Sequence, residues 1–182
     1  MSTVYYTATT LDGFLAGPGD DLEWLMAMPH PEPDTYSPFI ANVGALAMGS
    51  ATYEWVLRHL EKTGKAWPYT QPSWVFTSRD LPVPQGADVR FVRGAVAPVH
   101  QTMSAVAKGK DLWIVGGGDL AGQVLDAGLL DELVITVASY TLGEGKPLLP
   151  RVARLLLISA RPLGGGFAEL RYAPAGRSGT GR

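Results

Sequence analysis

Three short stretches of this chain carry residue types suited to holding phosphates. The first is "VGGGDLA", Val115 to Ala121, where Gly116, Gly117 and Gly118 separate an apolar run from a segment of helical spacing. Consecutive glycines weaken strands and helices alike, so they form either a slack connection or a place where the backbone must come close to something. A strand, a glycine turn and a helix in succession expose unpaired N–H groups and a partial positive charge, which together hold anions; Asp119, Leu120 and Ala121 lie at that junction. The second stretch is "MGSATYE", in which Gly49 permits close approach and the N–H groups of Ser50, Ala51 and Thr52 would face a phosphate. Its other reading is a simple cap, with Ser50 closing the helix end. The third is "FTSR", where Thr77, Ser78 and Arg79 offer two hydroxyls and a forked guanidinium to a phosphate monoester, or else form an ordinary solvated turn. A pyrophosphate seat with a separate monophosphate seat points to NADPH rather than NADH.

Gly116, Gly118 and Ala121 satisfy the dinucleotide fingerprint G-x-G-x-x-A, but its setting is wrong for the doubly wound fold. That fold places the motif in its first strand–helix unit and an acid at the end of the following strand. Here the motif comes late, and the following strand ends "VASYT". Close approach to a pyrophosphate survives that test; the standard fold does not.

Other chemistries find little support. His30, His59 and His100 are far apart and lack ligand spacing, so no metal site is expected. The absence of cysteine excludes disulfides and thiol nucleophiles and is compatible with a reducing cytosol. Ser50 and Ser139 have no G-x-S-x-G context for a hydrolase nucleophile. With 15 Lys and Arg against 17 Asp and Glu, the net charge of -2 argues against a nucleic-acid surface. No basic leader with an apolar core and no long apolar run occurs, so the chain reads as cytoplasmic, with no membrane partner.

The elements that must position these residues follow from pattern. Residues 2–9 form a first strand, followed by the turn-rich "LDGFLAGPGDD". Short helices are expected over Asp21 to Met28 and from Asp34 to Asn42, on either side of "PHPEPD". "GALAMG", "SWVFTS", "ADVRFVR" and "DLWIV" read as strands, with helices at Ser50 to Leu60, His100 to Lys108 and Leu120 to Ala127. "ELVITVAS", "LLLISARPL" and "GFAELRYAP" are strand-like, the last two forming an antiparallel pair around "PLGGG". The alternation predicts an α/β fold with a mixed, mostly parallel sheet, helices on both faces and an antiparallel C-terminal hairpin. Residues 1–173 should make one domain, and 174–182, without periodicity, a disordered tail.

In order along the chain, "ATTLDGFLA", "AMGSATYEWV", "WPY", "VFTSR", "WIVGGGDLAGQVLDAGLLDEL" and "LGEGKPLLP" resemble the dihydrofolate reductase superfamily. The nearest branch resembles the reductase domain of the bifunctional riboflavin-biosynthesis deaminase-reductase. The resemblance implies a three-layer αβα dihydrofolate-reductase-like fold with NADPH across the strand ends. It assigns Gly49 to Thr52 to the cofactor phosphates, Thr77 to Arg79 to the adenosine 2'-phosphate, and Gly116 to Ala121 to the pyrophosphate, with a cis peptide between Gly116 and Gly117. It places Ala8 against the nicotinamide amide, and Asp12 and Gly13 in the loop above it. Asp34 falls near the carboxylate that contacts the pterin, though it would also serve as a helix cap, and Asp12 as a turn former. Trp24 is expected on a helix bordering the substrate cleft. Three positions depart from the family pattern: Ser50 stands for Arg, Ala121 for a tyrosine, and Phe14 for a Lys of the riboflavin branch, which disfavours a ribitol-phosphate substrate.

Two functions follow. The first is an NADPH-dependent reductase transferring hydride to a small planar or carbonyl-bearing molecule, pterin- or pyrimidine-like, with Asp34 or Asp12 assisting protonation. The second is a nucleotide-binding module of the same fold without turnover. The resemblance also implies a homodimer.

Overall fold

A computed structural model describes residues 1–176. The chain begins with β1 (Thr3–Thr10) and β2 (Phe14–Ala16), then two short helices, α1 (Glu23–Met26) and α2 (Tyr36–Ala41). Two strand–helix units follow, β3 (Val43–Gly49) with α3 (Ser50–Thr63), then β4 (Ser73–Phe76), β5 (Val89–Val92) and α4 (Val96–Val106). Next come β6 (Asp111–Gly116), α5 (Gly118–Asp126), β7 (Glu132–Ala138) and β8 (Lys146–Pro147). A hairpin of β9 (Leu155–Leu163) and β10 (Phe167–Pro174) closes the fold.

Eight strands make one sheet in the order β5-β4-β3-β6-β1-β7-β10-β9. Pairing is parallel from β5 to β7 and antiparallel at β7–β10 and β10–β9. The expected mixed sheet with its C-terminal hairpin is therefore what the chain forms. β2 and β8 make a separate antiparallel pair.

Central strands read as continuous apolar runs because both their faces are covered. On one face Tyr5, Ala45, Ala47, Ile114 and Leu133 pack with Met103 of α4 and Leu120 and Val124 of α5. On the other, Val43, Leu46, Met48, Val75 and Trp113 pack with Tyr53 of α3. Two covered faces of one sheet give three layers.

Several boundaries differ from the sequence expectation. α4 begins at Val96, ahead of His100, because Pro98 lies in its first turn, where a missing N–H costs nothing. α5 begins at Gly118 rather than Leu120, so the glycine run is itself part helix. α1 covers only Glu23–Met26 of the helix expected from Asp21 to Met28. At the C-terminus Pro174 still belongs to β10, and the Ala175 N–H donates to Arg154 O at 2.9 Å. The ordered chain thus passes the expected boundary at 173; residues 177–182 of the expected tail lie outside the described residues.

Candidate active site

The site begins where β3 and β6, neighbours in the sheet, both end in glycine. Met48 pairs with Gly116, so the turns Gly49–Ser50 and Gly116–Gly118 leave the sheet side by side. A Cβ built on Gly49 would lie 3.7 Å from Gly117 N, and one on Gly116 would lie 3.4 Å from Thr52 Oγ1. Gly116–Gly117 is a cis peptide, as the resemblance implied.

Two helices therefore start at one place. The N-cap of α3 is Gly49 and that of α5 is Gly117, and no side chain caps either. Ser50 is inside the helix, so the capping role weighed for it is not the one it takes. First-turn N–H groups have no partner within their own helix, and here they open on a shared cleft of about 610 Å³. Gly49, Ser50, Ala51 and Thr52 line one wall of it and Gly116, Gly117, Gly118, Asp119 and Leu120 another. A Cβ on Gly117 would meet nothing within 4 Å, so this glycine borders open space. Gly118 is glycine for a different reason: a Cβ there would collide with the carbonyl oxygens of Pro147 and Leu148. Ala121 does not reach the cleft; it is fully buried behind it in the α5 packing.

Asp119 stands in the first turn of α5, where a carboxylate suits the helix dipole but opposes a second anion. Its oxygens accept from Gln123 Nε2 at 2.8 Å and from Arg151 Nη2 at 2.9 Å. Those two bonds, Gln123 first, hold its carboxyl below the usual range. Arg151 also donates to Asp126 at 2.7 Å and lies over Gly122, where a Cβ would be 2.8 Å from its Cγ.

The remaining sequence-predicted residues divide sharply. Ala8 lines the cleft beside Tyr6 and Thr7. Thr77, Ser78 and Arg79 do not; β4 contributes Phe76 instead. Arg79 forks onto Glu54 of α3, with Nη1–Oε1 2.9 Å and Nη2–Oε2 2.6 Å, the geometry a phosphate would use. Thr77 Oγ1 accepts the Arg79 N–H at 3.0 Å, shaping the turn.

Neither candidate acid faces the cleft. Asp12 accepts from Thr10 Oγ1 at 2.6 Å, from the Leu142 N–H at 3.0 Å and from the Gly143 N–H at 2.7 Å. These bonds, that from Thr10 first, lower its pKa and make it a staple between the β1–β2 turn and the loop after β7. Gly13, at φ 84°, completes the same turn and accepts from the Leu148 N–H at 2.8 Å. Asp34 accepts from the N–H groups of Tyr36 at 2.9 Å and Ser37 at 3.1 Å, closing α2 in the way its capping role required. Hydrogen bonds from Ser37 lead the causes that lower its pKa. It borders a separate hollow with Glu169 and Arg171, on the far side of Tyr6.

The helix carrying Trp24 borders the cleft as expected, but Trp24 itself does not line it. It is buried against Ala138, Leu163 and Phe167 and stacks on Tyr140 at 6.0 Å, while Leu22 and Leu25 beside it face the cleft. Sequence reasoning missed an aromatic end made by Tyr6, Tyr69 and Trp113, with Trp55 on a neighbouring wall. Strand alternation in β1, which puts Tyr6 on the face of Ala8, was the signal available for it.

Comparison with known proteins gives the chain its relatives. Residues 56–167 match the RibD C-terminal domain family. The Bacillus subtilis (strain 168) protein YwjB is 30% identical over 147 residues, which are 80% of this chain and 81% of that protein. The crystal structure of a candidate riboflavin biosynthesis protein from Shewanella sp. PV-4 superposes with a TM-score of 0.79 at 30% identity, covering 96% of this chain and 99% of the other. Dihydrofolate reductase from Enterococcus faecalis, solved with NADP(H) and RAB-propyl, gives 0.61 at 17% identity, covering 96% of each chain. Acinetobacter baumannii RibD gives 0.63 at 16% identity, covering 96% of this chain and 58% of that one. At such identities the last two show a shared fold.

Proposed function

This chain belongs to the RibD C-terminal domain family and has the dihydrofolate-reductase-like fold, and from that premise we propose that it is an NADPH-dependent reductase. Its substrate on this reading is a small planar or carbonyl-bearing molecule, pterin- or pyrimidine-like. One observation carries the proposal: two helix N-termini without side-chain caps, α3 and α5, open side by side on one cleft at adjacent strand ends. Such ends bind anions through N–H groups and dipole together.

The residues present fit a dinucleotide. N–H groups of Ser50, Ala51 and Thr52 would hold one phosphate and those of Asp119 and Leu120 the other, with Gly49 and Gly117 leaving room for both. Arg79, with Thr77 and Ser78 at the rim outside the cleft, would hold the 2'-phosphate if it gave up its pair with Glu54. NADPH, when bound, supplies the hydride. The chain itself presents the Ala8 backbone to the ring and excludes water with Leu22, Leu25 and Trp55. Asp12 and Asp34 are engaged with backbone N–H groups outside the cleft, so proton delivery falls to water rather than to either carboxylate.

Ser50, in place of an arginine, and the Arg79–Glu54 pair favour a second reading, a nucleotide-binding module without turnover. Titrating NADPH and then supplying pterins, pyrimidines and carbonyl compounds separates the two. Consumption of NADPH with any of them supports the reductase; tight binding with no consumption across the panel selects the module. The reading also includes a homodimer in the cytoplasm, the dimer supported by the apolar surface of β9.

A further inference from the structure

We propose that the aromatic end of the cleft takes an uncharged, planar, carbonyl-bearing ligand whose oxygen accepts a hydrogen bond from the Tyr69 hydroxyl. The inference rests on the reading above in treating this cleft as the substrate site.

The walls there are rings held in fixed positions by one another. Trp113 is nearly fully buried and donates its Nε1–H to Tyr6 O at 2.9 Å. Tyr6 stacks on Phe39 at 4.4 Å, with planes 11° apart. Tyr69 meets Trp113 edge-on at 5.6 Å and Trp67 at 5.2 Å. Rings fixed in this way offer a flat, apolar slot at little entropic cost to a flat ligand.

One polar group in that slot is unused. Tyr5 places its hydroxyl on Leu148 O, Tyr6 on Thr35 Oγ1 and Tyr53 on Pro82 O. Tyr69 is half-buried and lines the cleft, and its hydroxyl makes no hydrogen bond to the described residues. Its neighbour Trp67 leaves Nε1 buried and unpartnered. Burial pushes the Tyr69 phenol well up, so it stays protonated and acts as a donor. A donor on an apolar wall selects a ligand with an acceptor in the matching place, because a ligand that covers the hydroxyl without accepting from it leaves a desolvated polar group unpaired.

Charge selects as well. The charged side chains lining the cleft are Asp20, Lys146 and Asp119, and each is paired: Lys146 with Asp20 at 3.7 Å and Asp119 with Arg151 at 2.9 Å. No unpaired cation is left among the lining residues for a phosphate or carboxylate on the substrate, and a dianion there would sit against rings.

The test compares the full-length chain with Tyr69→Phe, using 4-nitrobenzaldehyde as the neutral probe and 4-formylphenyl phosphate as its dianionic counterpart. Thermal stabilisation by NADPH is measured first, then stabilisation by each probe with and without NADP+, then kcat and KM for NADPH consumption. NADPH should stabilise both proteins alike. The neutral probe should bind the wild type, and Tyr69→Phe should weaken it about threefold to tenfold, the range expected for one neutral hydrogen bond. With NADP+ present to fill the helix N-termini, the phosphate probe should bind the wild type at least about tenfold more weakly than the neutral one. Equal affinity of Tyr69→Phe and wild type for the neutral probe, preference for the phosphate probe in the presence of NADP+, or no binding of the neutral probe to the wild type would each overturn the proposal. Failure of NADPH to bind defeats the cofactor assignment alone, since the probe titrations without nucleotide still decide the role of Tyr69.

Discussion

Asp12 carries a negative charge that three donors share: the Thr10 hydroxyl and the N–H groups of Leu142 and Gly143. All three favour the carboxylate, and its pKa is lowered accordingly. A group with a lowered folded-state pKa stabilises fully above its unfolded value of about 3.9, and the contribution is lost as pH falls through the lower folded value. Asp12→Asn should therefore melt lower than wild type at neutral pH, and the gap in Tm should narrow only below about pH 4. A gap that closes between pH 8 and 6 would show that some other group is responsible. Arg79 gives a second prediction at this scale. If it exchanges Glu54 for the 2'-phosphate, Arg79→Ala should weaken NADPH about tenfold or more, as expected for a lost charged hydrogen bond, and NADH little. Equal losses by isothermal titration would count against that assignment. The capping alternative for Asp34 was legible in the sequence because an Asp before a helix satisfies N–H groups two and three residues on, wherever the helix points. That it faces the hollow beyond Tyr6 was not, because the path of the segment from Met28 to Pro33 is set by packing against residues distant in sequence, Gly164 and Gly165.

Elements fix what the glycines do. Gly49 has an ordinary extended backbone, φ -79° and ψ 165°, and a Cβ there meets its nearest atoms at normal contact distance. Gly49→Ala should leave Tm close to wild type while filling the approach to the phosphates, lowering NADPH affinity about tenfold or more. Gly118 behaves oppositely, since its Cβ would strike two backbone carbonyls of the β8 segment that cannot swing away. Gly118→Ala should cost roughly 1–3 kcal/mol of stability by forcing α5 off that segment, measurable as a lower denaturant midpoint. β3, β6 and β9 were readable because each contains an apolar or β-branched run bounded by breakers. β2 and β8 were not, because strands of three and two residues have no period and exist only where Phe14 and Ala16 meet Pro147 and Lys146. The two strand–helix junctions at the cleft were legible at their glycines; the aromatic end was not, since Tyr6, Tyr69 and Trp113 come from separate parts of the chain.

The whole molecule leaves the β9 edge of its sheet exposed. β9 is the last strand of the sheet, and Leu156, Leu157 and Ile158 on it are each at least half exposed, on both faces of the strand. An exposed apolar edge strand is a template for association unless something covers it. A second copy of the chain, related by a two-fold axis, would cover it. Sedimentation should show twice the chain mass for the wild type and a single chain for Ile158→Lys; an unchanged state in that variant would move the interface elsewhere. The central claim concerns the two helix N-termini at Gly49 and Gly117, and calorimetric titration with NADPH tests it most directly, with Gly49→Ala as the control. The account predicts saturable binding at one site per chain, tighter for NADPH than NADH and weakened in Gly49→Ala; no heat and no rise in Tm at millimolar NADPH would contradict it.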